Sequence, residues 1–237
     1  MKIVHLDSVS STNDYLRSEY AGKDDDVAVV AEMQTAGRGA GQNRWEAERG
    51  KNLLLSILIH PAYLLPARQF LISMAISNAI RSTVGHDAEI KWPNDIYVGD
   101  KKICGILIEN SLSAGRIKDC IIGVGLNVNQ MVFLSDAPNP VSLKQITGEE
   151  HDRTQILNNI LKRFEQECRL IKDGDEDKVR EEYLAHLYRR KGYHRYRAGD
   201  ESFMAEMIEV ANDGRLFLRD DAGRMRSFDF KEIEFIL

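Results

Sequence analysis

The run Leu53-Leu54-Leu55-Ser56-Ile57-Leu58-Ile59 constrains the fold of this chain more than any other segment. It is almost wholly apolar, so it has no face to offer to water and suits a strand near the middle of a sheet, covered on both sides. Strand-like and helix-like stretches alternate around it through the first 130 residues. Residues 2–6 and 27–33 read as strands, and the hydroxyl-rich stretch 8–12 caps a short helix over 13–20. A helix is predicted from Pro66, where Ile72, Ile76, Ala79, Ile80 and Val84 recur at helical spacing and proline suits the first turn.

Residues 89–92, 96–98, 103–109 and 120–128 read as four more strands, with a tight turn at 98–101 between two of them. Residues 131–148, which contain Pro138 and Pro140, read as a loop. Ile156, Leu157, Ile160, Leu161, Phe164, Cys168 and Ile171 then form one helical stripe, and Val179, Tyr183 and Leu187 a weaker second one. Near Tyr188 the period changes to two. Phe203, Ala205 and Met207 alternate in one phase, Ile208 and Val210 in the other, which predicts a bulge near Met207. Asn212-Asp213-Gly214 and 220–223 read as hairpin turns. The expected architecture is an α+β domain over 1–188, a mixed sheet with flanking helices, followed by a small β-barrel over 189–237.

Bulk properties exclude several classes. The 237 residues suffice for one main core and a small appendage. A net charge of −5 gives no bulk attraction to nucleic acid or to an anionic membrane. The three cysteines have an odd count and no paired spacing, so neither a disulfide framework nor a zinc site is indicated, which fits a reducing cytoplasm. The first residues carry no long apolar run, so neither a signal peptide nor a membrane span is expected. The histidines show no metal-ligand spacing, His86 included, and no Gly-x-Ser-x-Gly elbow is present.

Five constellations carry chemistry. The loop from Gln34 to Trp45 has glycines at 37, 39 and 41, which let backbone amides approach an anion, and Arg38 adds a fixed cation. It is neither a Walker loop nor a dinucleotide fingerprint, because Gln42 stands where the third glycine would be. Lys91-Trp92-Pro93-Asn94-Asp95 sets a cation, an aromatic, a rigid turn, an amide and a carboxylate side by side. Lys102 begins an apolar strand that ends at Glu109, with Gly105 allowing close approach to its backbone. Gly123, Gly125, Asn127 and Asn129 form the fourth group, and Ser11-Thr12-Asn13 the fifth. Taken singly, each also reads as structure: a flexible loop, an Asn-Asp turn, a solvated strand-edge lysine, a close-packed strand, a helix cap.

Together and in this order, the motifs resemble the biotin–protein ligase (biotin–[acetyl-CoA-carboxylase] ligase) family, in its monofunctional form without an N-terminal DNA-binding domain. The resemblance covers essentially the whole chain. It implies a class II synthetase-like catalytic domain and an Src-homology-like C-terminal barrel. It also implies a two-step reaction: biotin and MgATP give biotinyl-5′-AMP, and a lysine of a biotin carboxyl carrier domain then attacks the adenylate. Ser11, Thr12, Asn13 and Gln34 match the family's biotin positions, with Gly105 presenting its backbone. Arg38 and Lys102 match its cations, with Lys91 in support. Gly37, Gly39, Ala40 and Asn94 fall in its binding loops. Trp45 offers a face to adenine and Asn127 an amide to its edge, with Gly123 and Gly125 making room. Asp95 accepts the proton of the incoming lysine or helps to hold Mg²⁺. The resemblance implies no nucleic-acid or membrane partner, and an edge strand leaves a homodimer open.

Two alternatives stay open: a lipoate or octanoate protein ligase or transferase of the same fold, and a non-catalytic biotin or nucleotide sensor. One departure stands out. Many relatives have Gly-Arg-Gly-Arg where this chain has Gly37-Arg38-Gly39-Ala40. The expectation is weaker retention of the adenylate. Ala40→Arg, adding one charge-assisted contact, should slow adenylate release about tenfold in quenched flow. Equal release from both forms would contradict this.

Overall fold

The computed structural model describes residues 1–20, 22–41, 43–85, 87–135 and 139–236. Gln42, His86 and Pro138, which entered the sequence reading, lie outside the described residues. In chain order the elements are β1 (Lys2–Leu6), α1 (Thr12–Glu19), β2 (Val27–Ala31), β3 (Leu53–Ile59), α2 (Phe70–Val84), β4 (Ala88–Lys91), β5 (Asp95–Val98), β6 (Lys101–Ser113), β7 (Arg116–Leu126), α3 (Leu143–Thr147), α4 (Arg153–Asp173), α5 (Glu176–Ala185), β8 (His194–Ala198), β9 (Glu201–Val210), β10 (Leu216–Asp220), β11 (Met225–Phe228) and β12 (Glu234–Phe235). No helix among the described residues is long and apolar enough to cross a membrane.

Two compact units form. One comprises Met1–Pro66 and Lys101–Arg163, the other Ala67–Asp100 and Phe164–Leu237. In the first unit the strands lie in the order β1-β2-β3-β7-β6. β1 and β2 pair in parallel, while β2–β3, β3–β7 and β7–β6 are antiparallel, so the sheet is mixed. All seven residues of β3 are buried, as its apolar run requires. Leu16 of α1 joins Val27, Val29, Leu58 and Ile121 in a core cluster, which fixes the helix on one face of the sheet.

In the second unit β4 and β5 form a hairpin with Lys91 opposite Asp95. Helices α2 and α5 pack together: Asn78 Nδ2 donates to the Val179 carbonyl (2.9 Å), and Arg81 pairs with Glu182 (2.7 Å). The tail is a five-stranded antiparallel sheet in the order β11-β10-β9-β8-β12. It is not closed into the barrel expected over 189–237. Its outer strands, β11 of four residues and β12 of two, do not pair with each other.

Three local expectations are refined. Pro66 begins a 3₁₀ turn (Pro66–Arg68), and the α-helix starts only at Phe70, with Gln69 as a cap that makes no side-chain hydrogen bond. The stretch read as a loop holds α3, started by a capping box in which Ser142 and Gln145 serve each other's backbone amides. The predicted bulge is present: Glu209 faces Phe217 and Met207 faces Leu218, so Ile208 is the extra residue.

Candidate functional site

Strand alternation lays out the first unit's site. Cross-strand partners in an antiparallel sheet point the same way, so Leu54, Gly125 and Gly105 do not share a row by accident; they are mutually paired across β3, β7 and β6. The next row is Ser56, Gly123 and Leu107, and the next Leu58, Ile121 and Glu109. Glycine at 125 and 123 leaves β7 bare in two adjacent rows, and Gly105 leaves β6 bare in the first of them. Other groups fill the gap. A Cβ on Gly123 would lie 2.5 Å from Asn13 Oδ1. A Cβ on Gly105 would lie 2.8 Å from the Trp45 ring, and one on Gly125 would overlap that ring outright. The glycines thus seat Trp45 and Asn13.

Asn13 arrives through a chain of caps. Ser8 to Thr12 runs beside Gln34 to Ala36: Val9 N donates to Met33 O (3.1 Å), Thr35 N to Val9 O (2.9 Å) and Ala36 N to Ser10 O (2.9 Å). Ser11, 3% exposed, caps α1 by accepting from Asp14 N. Gln34 Oε1 accepts from both Thr12 N (2.7 Å) and Thr12 Oγ1 (2.9 Å). Ser56 Oγ lies 2.6 Å from Thr12 Oγ1 and 2.5 Å from Asn13 Oδ1. Asn13 Oδ1 only accepts, so the single Ser56 proton goes there. Asn13 Nδ2 donates to Glu109 Oε2 (2.7 Å). The result is a buried array of hydroxyls and amides with rigid positions.

Arg38 does not stand alone. Its Nη2 donates to Asp14 Oδ1 (2.7 Å) and Glu109 Oε2 (3.0 Å), and Arg17 reaches the same two carboxylates at 2.7 and 2.9 Å. Two guanidiniums balance two carboxylates. Burial pushes the Glu109 carboxyl up, but the Asn13 amide and the charges of Arg17 and Arg38 outweigh it and hold Glu109 below the usual carboxylate range.

The described residues on the two sides of the glycine loop pair with each other. Gly39 N donates to Asn43 O (2.8 Å) and Trp45 N to Gly37 O (3.0 Å), and Arg38 and Arg44 bridge. A Cβ on Gly37 would lie 2.8 Å from the Trp45 carbonyl, so glycine is needed there for the strands to close. Ala40 precedes Gly41, whose φ of 70° makes the turn. Lys102 Nζ lies 5.9 Å from the centroid of the Trp45 ring. The backbone of Lys102 pairs with the strap after it in space: Lys102 N donates to Asn139 O (2.8 Å) and Val141 N to Lys102 O (3.0 Å). Asn127 is 2% exposed and donates to Val141 O (3.1 Å), while its Oδ1 has no hydrogen-bond partner among the described residues. Asn129, by contrast, is spent on the His151 backbone.

Lys91, Asn94 and Asp95 belong to the second unit. Lys91 Nζ donates to Tyr97 Oη (3.1 Å) and sits over the Tyr97 and Phe235 rings at 4.7 and 5.4 Å. Trp92, 5% exposed, donates its Nε1 to Gly214 O (2.9 Å), and the Trp92–Pro93 bond is cis. Trp92 is therefore an anchor, and Asn94 and Asp95 are the half-buried residues that follow it.

Ser56, Asp14, Arg17 and Glu109 were missing from the residues expected at the site, as was Glu46. The last clasps a neighbouring segment, its two oxygens accepting from Leu134 N (2.8 Å) and Ser135 N (2.7 Å). A lone hydroxyl inside an otherwise apolar strand was the available signal for Ser56. Asp14, Arg17 and Glu46 had none, since charged residues on a helix or loop are normally solvated.

Two outcomes are expected. In a Trp92→Phe background, Gly125→Ala should unseat Trp45 and shift its fluorescence to the red. Glu109 has a depressed folded-state pKa, so it stabilises the fold above the ordinary carboxyl value of 4.5 and loses that contribution as pH falls through the lower, folded value. The stability gap between wild type and Glu109→Gln should therefore be full at neutral pH and close in acid, as read by urea denaturation.

The model of the Biotin/lipoate A/B protein ligase family matches residues 6–127, just over half of the chain. The bifunctional ligase/repressor BirA of Bacillus spizizenii is 34% identical over 177 residues, covering 70% of this chain and 54% of that protein. The biotin--[acetyl-CoA-carboxylase] ligase of Mycobacterium tuberculosis is 32% identical over 170 residues, covering 68% and 61%. This chain thus spans about half the length of the BirA relatives it matches. In fold it is similar to the biotin protein ligase from Aquifex aeolicus in complex with biotin and ATP, with a TM-score of 0.81 and 22% identity over 98% of this chain and 97% of that one. The chain belongs to the biotin/lipoate A/B protein ligase family.

Proposed function

We propose that this protein is an ATP-dependent biotin–protein ligase: it activates biotin as biotinyl-5′-AMP and transfers it to a lysine of a carboxylase carrier domain. One observation carries the reading most. The indole of Trp45 rests on the Gly105–Gly125 pair with Lys102 Nζ beside it, next to the Thr12–Asn13–Gln34–Ser56 array. The polar array suits a ureido ring, which needs both donors and acceptors. Trp45 has one face on the glycine floor and offers the other to adenine. The unpaired Asn127 Oδ1 suits an exocyclic amine. Gly125 then serves the nucleotide by seating Trp45, and Gly123 serves the ring site by seating Asn13.

In the first step, a carboxylate oxygen of biotin attacks the α-phosphorus of ATP and pyrophosphate leaves. Lys102 offsets the charge that builds there. Arg38, already balanced by Asp14 and Glu109, contributes orientation more than net charge. Mg²⁺ is taken here to arrive with the triphosphate, since it is usually held by substrate phosphates and one or two carboxylates, of which Asp95 is the candidate. In the second step, the acceptor lysine must lose a proton. At pH 7 roughly one such lysine in 2,500 is neutral, and we assign proton uptake to Asp95. Three cysteines without paired spacing suit a reducing compartment such as the cytoplasm.

Lys102→Ala should lower pyrophosphate release with biotin and ATP by about 10²- to 10³-fold, while unfolding free energy changes by no more than about 0.5 kcal/mol. A fully active variant would overturn the assignment. Labelled biotin against labelled lipoate with ATP separates the two ligase readings. Binding of biotin without pyrophosphate release would favour a sensor.

A further inference from the structure

Three contacts hold the Lys91–Asp95 turn within the second unit, and a fourth residue braces two of them. Trp92 donates its Nε1 to the Gly214 carbonyl (2.9 Å) and meets Phe230 edge to face at 6.3 Å. Tyr183, on α5, donates its hydroxyl to the Pro93 carbonyl (2.8 Å) and is fully buried. Phe70, the first residue of α2, closes the ring. It meets Tyr183 edge-on at 5.7 Å and 87°. It also packs on Gly214, where an added Cβ would lie 2.6 Å from its ring.

The hairpin that presents the Gly214 carbonyl is itself fixed. Gly214 has φ 95°, a conformation that side chains disfavour, and its N–H donates to Ala211 O (3.0 Å). Arg180, one turn before Tyr183 on α5, donates to Asn212 Oδ1 (2.8 Å) and Val210 O (2.5 Å). One helix therefore grips both the turn and the hairpin that touches it. Burial raises the Tyr183 phenol well above its usual range, so the group stays a donor at any working pH.

None of these groups belongs to the set of residues that handle substrate. All of them act on the backbone that carries Asp95. We infer that Tyr183 and Gly214 are positioning residues: they hold the turn so that Asp95 is placed to take the acceptor lysine's proton. The C-terminal sheet then has a definite task, which is to supply the Gly214 carbonyl to Trp92. This rests on the proposed role of Asp95 in transfer.

The test measures the two half-reactions separately. Pyrophosphate release reports adenylate formation, and single-turnover transfer from preformed biotinyl-5′-AMP to a biotin carboxyl carrier domain reports the second step. Tyr183→Phe removes one hydroxyl and keeps the ring, and Gly214→Ala loads the hairpin; Asp95→Asn is the reference. Misplacing a reacting group by about 1 Å costs on the order of 10²-fold in rate. Tyr183→Phe should thus slow transfer by roughly ten- to a hundredfold at saturating acceptor, with acceptor KM and adenylate formation nearly unchanged. Gly214→Ala should follow the same pattern. A loss of folded enzyme would lower both half-reactions equally, and that result would overturn the inference. Normal transfer in Tyr183→Phe would overturn it as well. Slow transfer in Tyr183→Phe beside normal transfer in Asp95→Asn would instead place the fault in the Asp95 assignment and leave the anchoring of the turn intact.

Discussion

Three absent side chains organise the first unit. Gly105 and Gly125 face each other across β6 and β7, and Gly123 lies one row along the same face. At any of these positions a Cβ would collide with the group that now lies there. Trp45 can rest on the sheet only because of this gap, and Asn13 can reach Ser56 and Glu109 only because of it. The Gly37 hairpin then has a fixed point to close on, through the Trp45 backbone. A polar site on a sheet face needs both a floor that is low enough and walls that cannot move, and here glycine supplies the first while buried hydrogen bonds supply the second.

Charge is arranged with similar economy. Arg17 and Arg38 share Asp14 and Glu109, so the corner nearest α1 is close to neutral. That corner sits beside the array suited to an uncharged ring. Lys102 lies instead by Trp45, on the side proposed for the nucleotide. The separation matters because a cation beside a buried neutral ring would need a partner of its own. In the second unit the same principle appears as a cage: Lys91 is held by Tyr97 and Phe235, and the turn after it by Trp92 and Tyr183.

Much of this was legible in the residues. The seven-residue apolar run was the buried β3, the Ser11 cap was real, and the phase change at Ile208 was a bulge. Short-range physics decides such features, so a local pattern reports them. Whether the tail closes into a barrel was not legible, because it depends on the twist and stagger of the whole sheet rather than on a local pattern. The α3 helix was hidden by the neighbouring prolines, although its capping box is explicit in Ser142 and Gln145.

By itself, the sequence determined most of the elements in their order and the family motifs, since each is written in composition and spacing along one dimension. Tertiary structure alone decided what the glycines are for and which charges are already spent. Gly125 meets Trp45 from 80 positions away, and Arg38 meets Glu109 from 71. Such contacts are set by sheet register, which turns every second residue of distant strands toward a common face, and no local pattern encodes that pairing.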